Sequence, residues 1–253
     1  MALFKKKRVS ADAADPTEKI GKDLSFAATE AYKRLRANLL LSFTSDASCR
    51  IVGVTSSLRG EGKSTTAANL SYALAEMGRN VLLIDCDMRL PNVHRLLQLN
   101  QSPGLSNLLS GGGGNNIIQP TALHRKLYAI TAGDIPPNPT ELLSSKRMEN
   151  TLQMLSQNFD FIIIDLPPID AVSDALIVSQ YVSGMIMVVR QNYVDKRALD
   201  NTVRQLRYHK AQILGFVVNG ADPENGYYKK GYYYKKGYYK KDGTYEYKAK
   251  SDG

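Results

Sequence analysis

The chain has 253 residues, 33 Lys and Arg against 24 Asp and Glu for a formal charge of +9, and 43% hydrophobic residues. That length suits one α/β domain with tails. No apolar run approaches the roughly 18 residues of a membrane-crossing helix, and the N-terminus has no secretory apolar stretch, so a cytoplasmic location is expected.

The charge excess is local, with four positives in Lys5–Arg8 and eight lysines after Asp222. The excess is therefore concentrated in the ends, and no nucleic-acid partner is expected. Two cysteines, Cys49 and Cys86, exclude a disulfide framework and stand at no metal-ligand spacing.

In chain order, residues 1–23 read as a flexible basic arm without a hydrophobic period. Tyr32, Leu35, Leu39 and Phe43 recur at helical spacing, predicting an amphipathic helix within residues 24–44, with Ser25 or Thr29 available as its N-cap. Six short apolar runs follow: Ile51–Thr55, Val81–Ile84, Leu127–Thr131, Phe161–Ile164, Met185–Val189 and Ile213–Val218. Helical patterns lie at Thr65–Met77, Thr140–Gln157, Ser173–Tyr181 and Asp195–Tyr208. Continuous Val/Ile/Leu runs without in-out alternation indicate strands covered on both faces. The expected fold is therefore α/β, a doubly wound, mostly parallel sheet of P-loop NTPase type over residues 24–220. Gly111–Gly114 marks a surface loop. From residue 221 the patterns stop, and a Tyr/Lys tail expected to be disordered carries nine of the fifteen tyrosines.

The strand "IVGVTSS" runs into "LRGEGKST" and then a helix, the order a phosphate loop requires, with Ser57 where the first glycine usually stands. Gly60 and Gly62 let backbone N–H groups curl around an anion, Lys63 neutralises phosphate charge, and Ser64 offers a hydroxyl to Mg²⁺. "VLLIDCDMR" and "FIIIDLPP" place Asp85, Asp87 and Asp165 at strand ends. In an open α/β sheet ligands lie beyond the carboxyl ends of the strands, so these acids can converge on the loop; the plainer alternative is that each caps a turn.

Together, "SSLRGEGKST", "LLIDCDMRLP" and "FIIIDLPP" resemble the Walker A, A′ and B motifs of the bacterial tyrosine kinases (BY-kinases) that govern capsule and exopolysaccharide synthesis. "EAYKRLRANL", "PPNPTELLSS", "RQNYVDKRAL" and "ILGFVVNG" extend the resemblance over about residues 24–220. The resemblance implies that ATP is bound by Ser57, Arg59, Gly60, Glu61, Gly62, Lys63, Ser64 and Thr65, with Asn219 near the base. It implies that Ser64 ligates Mg²⁺, that Asp85 and Asp165 hold it directly or through water, that Lys63 and Asp85 are catalytic, and that Asp87 accepts the tyrosine proton. Arg89 either contacts phosphate or holds its loop. The implied acceptors are Tyr227, Tyr228, Tyr232, Tyr233, Tyr234, Tyr238, Tyr239, Tyr245 and Tyr247, modified between subunits. Glu30, Lys33 and Arg36 match the family's E-x-x-R-x-x-R self-association motif, with Lys33 replacing an arginine and losing its bidentate fork. Further implied partners are a separate transmembrane activator that recruits the chain to the inner membrane face, a tyrosine phosphatase, and polysaccharide-synthesis proteins as substrates. An unphosphorylated, lysine-rich tail is expected to dock in an acidic active site and to be repelled once phosphorylated.

Two other readings compete. Partition or division-site ATPases share the loop and sheet but carry K-G-G-x-G-K-[ST], whose signature lysine falls at Leu58 here. A Tyr/Lys tail also suits a nucleic-acid or membrane adaptor. An animal-type kinase is excluded, since H-R-D and D-F-G are both absent.

Overall fold

Unbroken runs of apolar side chains have to be covered from both sides, and the arrangement that results is a three-layer one. The structure, a computed structural model, describes residues 19–43, 48–112 and 116–221. The chain divides into units 1–219 and 220–253; the account below concerns the first, and the tyrosines expected as acceptors lie outside the described residues.

A seven-stranded sheet comprises β1 (Arg50–Ser56), β2 (Val81–Asp85), β3 (Gln119–Pro120), β4 (Leu127–Ile130), β5 (Phe161–Asp165), β6 (Gly184–Arg190) and β7 (Ile213–Asn219), in the order β3-β4-β2-β5-β1-β6-β7. All pairs are parallel except β3 with β4. Along β5, Ile162 and Ile164 face one core cluster with Leu82, Met148 and Leu176. Phe161 and Ile163 face the other, with Leu83, Leu70 and Val54. Each such side chain contributes about 1.5–3 kcal/mol through burial.

The helices are α1 (Phe26–Leu41), α2 (Lys63–Glu76), α3 (Val93–Leu97), α4 (Leu105–Ser110), α5 (Pro139–Leu143), α6 (Lys146–Leu155), α7 (Asp174–Val178) and α8 (Lys196–Tyr208). Helix α2 is buried along most of its length because α1 packs over it on the sheet. Ser25 caps α1, its Oγ accepting from Ala28 N.

Three features differ from expectation. The pattern predicted as one helix over Thr140–Gln157 forms two, because Ser145 Oγ accepts from Met148 N and starts α6 anew. The region Ser173–Tyr181 is one turn of α-helix followed by a 3-10 turn at Ser179–Tyr181. Packing also begins before Leu24: Ile20 is buried in the core, and Gly21 N donates to Asn69 Oδ1 at 2.9 Å. Gly111 caps α4 with φ 91°, while residues 113–115 lie outside the described set.

Candidate active site

Between β1 and α2 the chain turns through residues 57–62. Gly60 and Gly62 adopt φ of 86° and 90°, the left-handed region that glycine enters without a Cβ penalty. At Gly62 an added Cβ would also collide with Asn219 Nδ2. The backbone carbonyls of the loop are held from outside: Asn219 Nδ2 donates to Glu61 O at 3.0 Å, an Arg190 guanidinium nitrogen to Gly60 O at 3.1 Å, and the Tyr193 hydroxyl to Arg59 O at 2.8 Å. Glu61 is fully buried, and its two carboxylate oxygens accept from Leu58 N at 2.6 Å and Arg190 N at 3.0 Å. Its side chain is therefore an internal brace of the loop. Asn219 likewise holds the loop through its amide. Arg190 and Tyr193 went unrecognised as functional in the sequence, where the only signal was the family segment "RQNYVDKRAL".

The strand-end acids do meet the loop. Asp85 and Asp165 are register partners on β2 and β5, and Lys63, at the first turn of α2, reaches back across them. Its Nζ lies 3.0 Å from Asp87 Oδ2, 3.6 Å from Asp165 Oδ1 and 3.3 Å from Ser64 Oγ. Burial would lower the Lys63 pKa, but Asp165 and Asp87 outweigh it, and the net shift is upward. Burial first, and the Asp165 charge second, push the Asp85 carboxyl up to about 7; burial raises Asp165 as well, against the pull of Lys63.

The three acids have different surroundings. Asp85 Oδ1 accepts from Asp87 N, and its Oδ2 from Asn92 N and Val93 N, at 3.0–3.1 Å. It shapes the loop after β2, which leaves it the reach through water that the resemblance allows. Asp87 Oδ1 accepts from Leu90 N, while Oδ2 faces Lys63. Neither oxygen of the fully buried Asp165 accepts a hydrogen bond among the described residues, and Ser57 Oγ, also buried, has no partner there. Carboxylate oxygens without a hydrogen bond, one of them 3.6 Å from the Lys63 ammonium, fit Mg²⁺. No group of three or more His, Cys, Asp or Glu among the described residues encloses a metal alone, which suits a cation completed by phosphate oxygens and water. Asp165 and Ser64 would hold it, with Asp85 behind them.

A cavity of about 290 Å³ opens over these groups. Arg89, on its wall, grips the buried Asp174: Nε donates to Oδ2 at 2.8 Å, and a terminal nitrogen to Oδ1 at 3.3 Å and to Thr140 Oγ1 at 2.9 Å. Of the two roles open to Arg89, this one holds the loop. The lining also contains Arg59 and Arg95, both exposed, whereas Asp85 and Asp165 are fully buried. The expected acidic docking surface is not seen among the described residues: Asp85 and Asp165 are fully buried, and Asp87 shares the cavity wall with Arg59, Lys63, Arg89 and Arg95.

A ParA family model described as NUBPL iron-transfer P-loop NTPase matches residues 48–241. Tyrosine-protein kinase YwqD of Bacillus subtilis is 37% identical over 204 residues, 79% of this chain and 86% of that protein. Tyrosine-protein kinase wzc of Salmonella typhi is 34% identical over 81% of this chain, which spans only 28% of that longer protein. The kinase domain of Escherichia coli tyrosine kinase ETK superposes with TM-score 0.72 at 30% identity, covering 79% of this chain and 80% of that one. The chain belongs to the bacterial tyrosine kinases. Its P-loop thus serves a protein-tyrosine kinase on the sheet shared with ParA-type NTPases.

In this kinase the residues of the self-association motif part company. Lys33 and Glu30 pair with each other at 2.9 Å on the exposed side of α1, whereas an Arg36 guanidinium nitrogen donates to Ala73 O at 2.6 Å and ties α1 to α2. Among the described residues, no helix is long and apolar enough to cross a membrane.

Proposed function

We propose that the kinase transfers the γ-phosphoryl group of ATP to the tyrosines of its own C-terminal segment, Tyr227 through Tyr247, from one subunit to another. The observation that carries this reading is the Lys63–Asp87 pair, 3.0 Å apart on the wall of a cavity that leads to solvent. Phosphate oxygens compete with Asp87 and Asp165 for the Lys63 ammonium. Lys63 drawn to phosphate stabilises charge on the transferring group, and leaves Asp87 Oδ2 open to a phenol. As the tyrosine Oη–P bond forms and the bond to ADP breaks, the phenol proton passes to Asp87 and from there to water. A phenol with a pKa of about 10 needs such an acceptor at neutral pH. Mg²⁺, when bound, supplies neutralisation of the phosphate oxygens.

Replacing all nine tail tyrosines by phenylalanine tests the acceptor assignment. Phosphate incorporation should fall to background with ATP binding retained; undiminished incorporation would place the acceptor elsewhere. Rapid ATP hydrolysis by the wild-type protein with an unmodified tail would favour the partition-type ATPase reading that the family model leaves open.

Regulation of capsular or exopolysaccharide synthesis, a membrane activator, a tyrosine phosphatase and polysaccharide-synthesis substrates are further parts of this reading, supported by family membership. Cell fractionation tests the activator: recovery of the kinase only in the soluble fraction under every growth condition would contradict it. Self-association through α1 predicts that Glu30→Ala with Lys33→Ala lowers the sedimentation coefficient, and an unchanged value would remove that helix from the interface.

A further inference from the structure

We infer that Leu90, Pro168 and Val172 form a slot that receives the ring of the acceptor tyrosine, and that this slot selects tyrosine over serine and threonine. The inference rests on the Lys63–Asp87 pair being the transfer centre and adds how the acceptor side chain is held there.

Sheet order divides the cavity. The phosphate loop follows β1, with β5 and β2 on one side of that strand and β6 and β7 on the other. Asp87 and Asp165, the acids that meet Lys63, come from the side of β2 and β5. Arg190, Tyr193 and Asn219 hold the loop from the side of β6 and β7. Leu90, Pro167, Pro168, Ala171 and Val172 line the cavity, and all of them follow β2 or β5. Their side chains are apolar. The N–H groups of Leu90, Ala171 and Val172 are already engaged, by Asp87 Oδ1 and by Pro168 O, and proline has none. This wall therefore offers a phosphate no donor, while it stands beside the groups that meet the transferring phosphoryl.

Both parts of the wall are fixed in place. Leu90 N donates to Asp87 Oδ1 at 3.1 Å, which sets Leu90 one hydrogen bond away from the carboxylate that faces Lys63. Arg89, its neighbour in the chain, is gripped by Asp174 and Thr140. In the segment after β5, Pro167 O accepts from Thr55 Oγ1 at 2.8 Å and Ile169 N donates to Ser56 O at 3.0 Å, which staples it to the start of the phosphate loop. Leu90 is 52% exposed and Asp87 5%, so the path from the leucine to the carboxylate leads inward from solvent.

A tyrosine carries its hydroxyl at the far end of an apolar ring. With the ring against Leu90 and Val172, that hydroxyl reaches Asp87 Oδ2 while the acceptor's backbone stays in water. A serine or threonine hydroxyl sits on Cβ. Delivering it to Asp87 would draw peptide N–H and C=O groups in among apolar side chains, where they lose water without gaining partners.

The test uses the full-length kinase with ATP and Mg²⁺ and two acceptors: N-acetyltyrosinamide, which has the ring and no tail sequence, and a peptide of residues 226–241. Versions of the peptide with every tyrosine replaced by phenylalanine or by serine carry the same charges. The phenylalanine peptide should inhibit phosphorylation of N-acetyltyrosinamide, because it fills the slot without an acceptor oxygen; the serine peptide should neither inhibit nor take up phosphate. Leu90→Ala should raise KM for both acceptors and weaken that inhibition by about tenfold, with ATP affinity within about twofold of wild type, and Leu90→Met should restore most of the loss. A fall in ATP affinity that matches the loss of acceptor turnover would assign the wall to the nucleotide, and equal inhibition by the phenylalanine and serine peptides would remove the ring from recognition; either result overturns the slot. A tail peptide that takes up no phosphate, beside N-acetyltyrosinamide phosphorylated in a Leu90-dependent way, would overturn the tail as acceptor and support the slot. Failure of both acceptors with the wild-type kinase would overturn the slot together with the transfer centre.

Discussion

Lys63 Nζ and Asp87 Oδ2 are held 3.0 Å apart, so the cation proposed to steady phosphate and the carboxylate proposed to take the proton form one ion pair. Asp87→Asn should keep ATP binding within a few fold, since the loop glycines, Lys63 and Ser64 are untouched. It should slow phosphate transfer to tyrosine by about 10²–10⁴, the usual contribution of a positioned acid or base. Nucleotide titration beside phosphate incorporation checks this; transfer at the wild-type rate would remove Asp87 from the proton path.

Glu61 joins the phosphate loop to β6 through Leu58 N and Arg190 N. Gln in its place offers a single acceptor oxygen and leaves one part-buried N–H facing an amide. Charge-assisted bonds of this kind are each worth about 1.5–3 kcal/mol. Glu61→Gln should lower Tm by about 5–10 °C and weaken ATP binding together. A large loss of affinity with an unchanged Tm would mean that the carboxylate touches the nucleotide after all.

The Arg89–Asp174 pair is asymmetric: the Asp174 side chain is 0% exposed and that of Arg89 is 40% exposed. Removing Arg89 strands a buried carboxylate with Thr140 as its remaining side-chain partner, whereas removing Asp174 lets the guanidinium turn to water. Arg89→Ala should therefore cost about 3–5 kcal/mol and Asp174→Ala less, with the double variant close to Asp174→Ala. Denaturant unfolding of the three decides it; additive losses would contradict the pairing.

Both thiols are inert for a stated reason. Burial, aided by Asp160, pushes half-buried Cys49 up to about 11, and burial raises Cys86 far above its usual range. Because the thiolate is the reactive form, roughly 0.1% of Cys49 is available at pH 8. Iodoacetamide should label the native protein slowly at pH 8, faster as pH rises toward 11, and both cysteines after denaturation. Rapid native labelling at pH 8 would contradict the burial.

Much of the scaffold was legible in the sequence because each strand declares itself locally: all six apolar runs form strands at or within a residue of their predicted bounds. The aspartates at the ends of β2 and β5 were legible for the same reason, since a charge that ends a Val/Ile/Leu run marks the carboxyl end of the strand, where ligands lie in an open α/β sheet. Helices α3 and α4 span five and six residues, too short to show a period, and β3 is a two-residue edge containing Pro120. The brace was illegible. Glu61 meets Arg190 across 129 positions, and Arg89 meets Asp174 across 85, so nothing in either neighbourhood announces the partner. For Glu61, position in the loop suggested a contact to phosphate, while the bracing role of its side chain rests on long-range hydrogen bonds that the position does not announce. For the docking surface, the number of acids suggested a negative site, but Asp85 and Asp165 are fully buried and Asp87 lines the cavity among arginines.

The most direct measurement is phosphosite mapping by mass spectrometry of the wild-type protein and of Lys63→Met, each incubated with ATP and Mg²⁺. Multiple phosphates on Tyr227 to Tyr247 in the wild type, and none in Lys63→Met, are the predicted result. A tail that stays unmodified in the wild type, or that is modified equally in both proteins, would contradict the account.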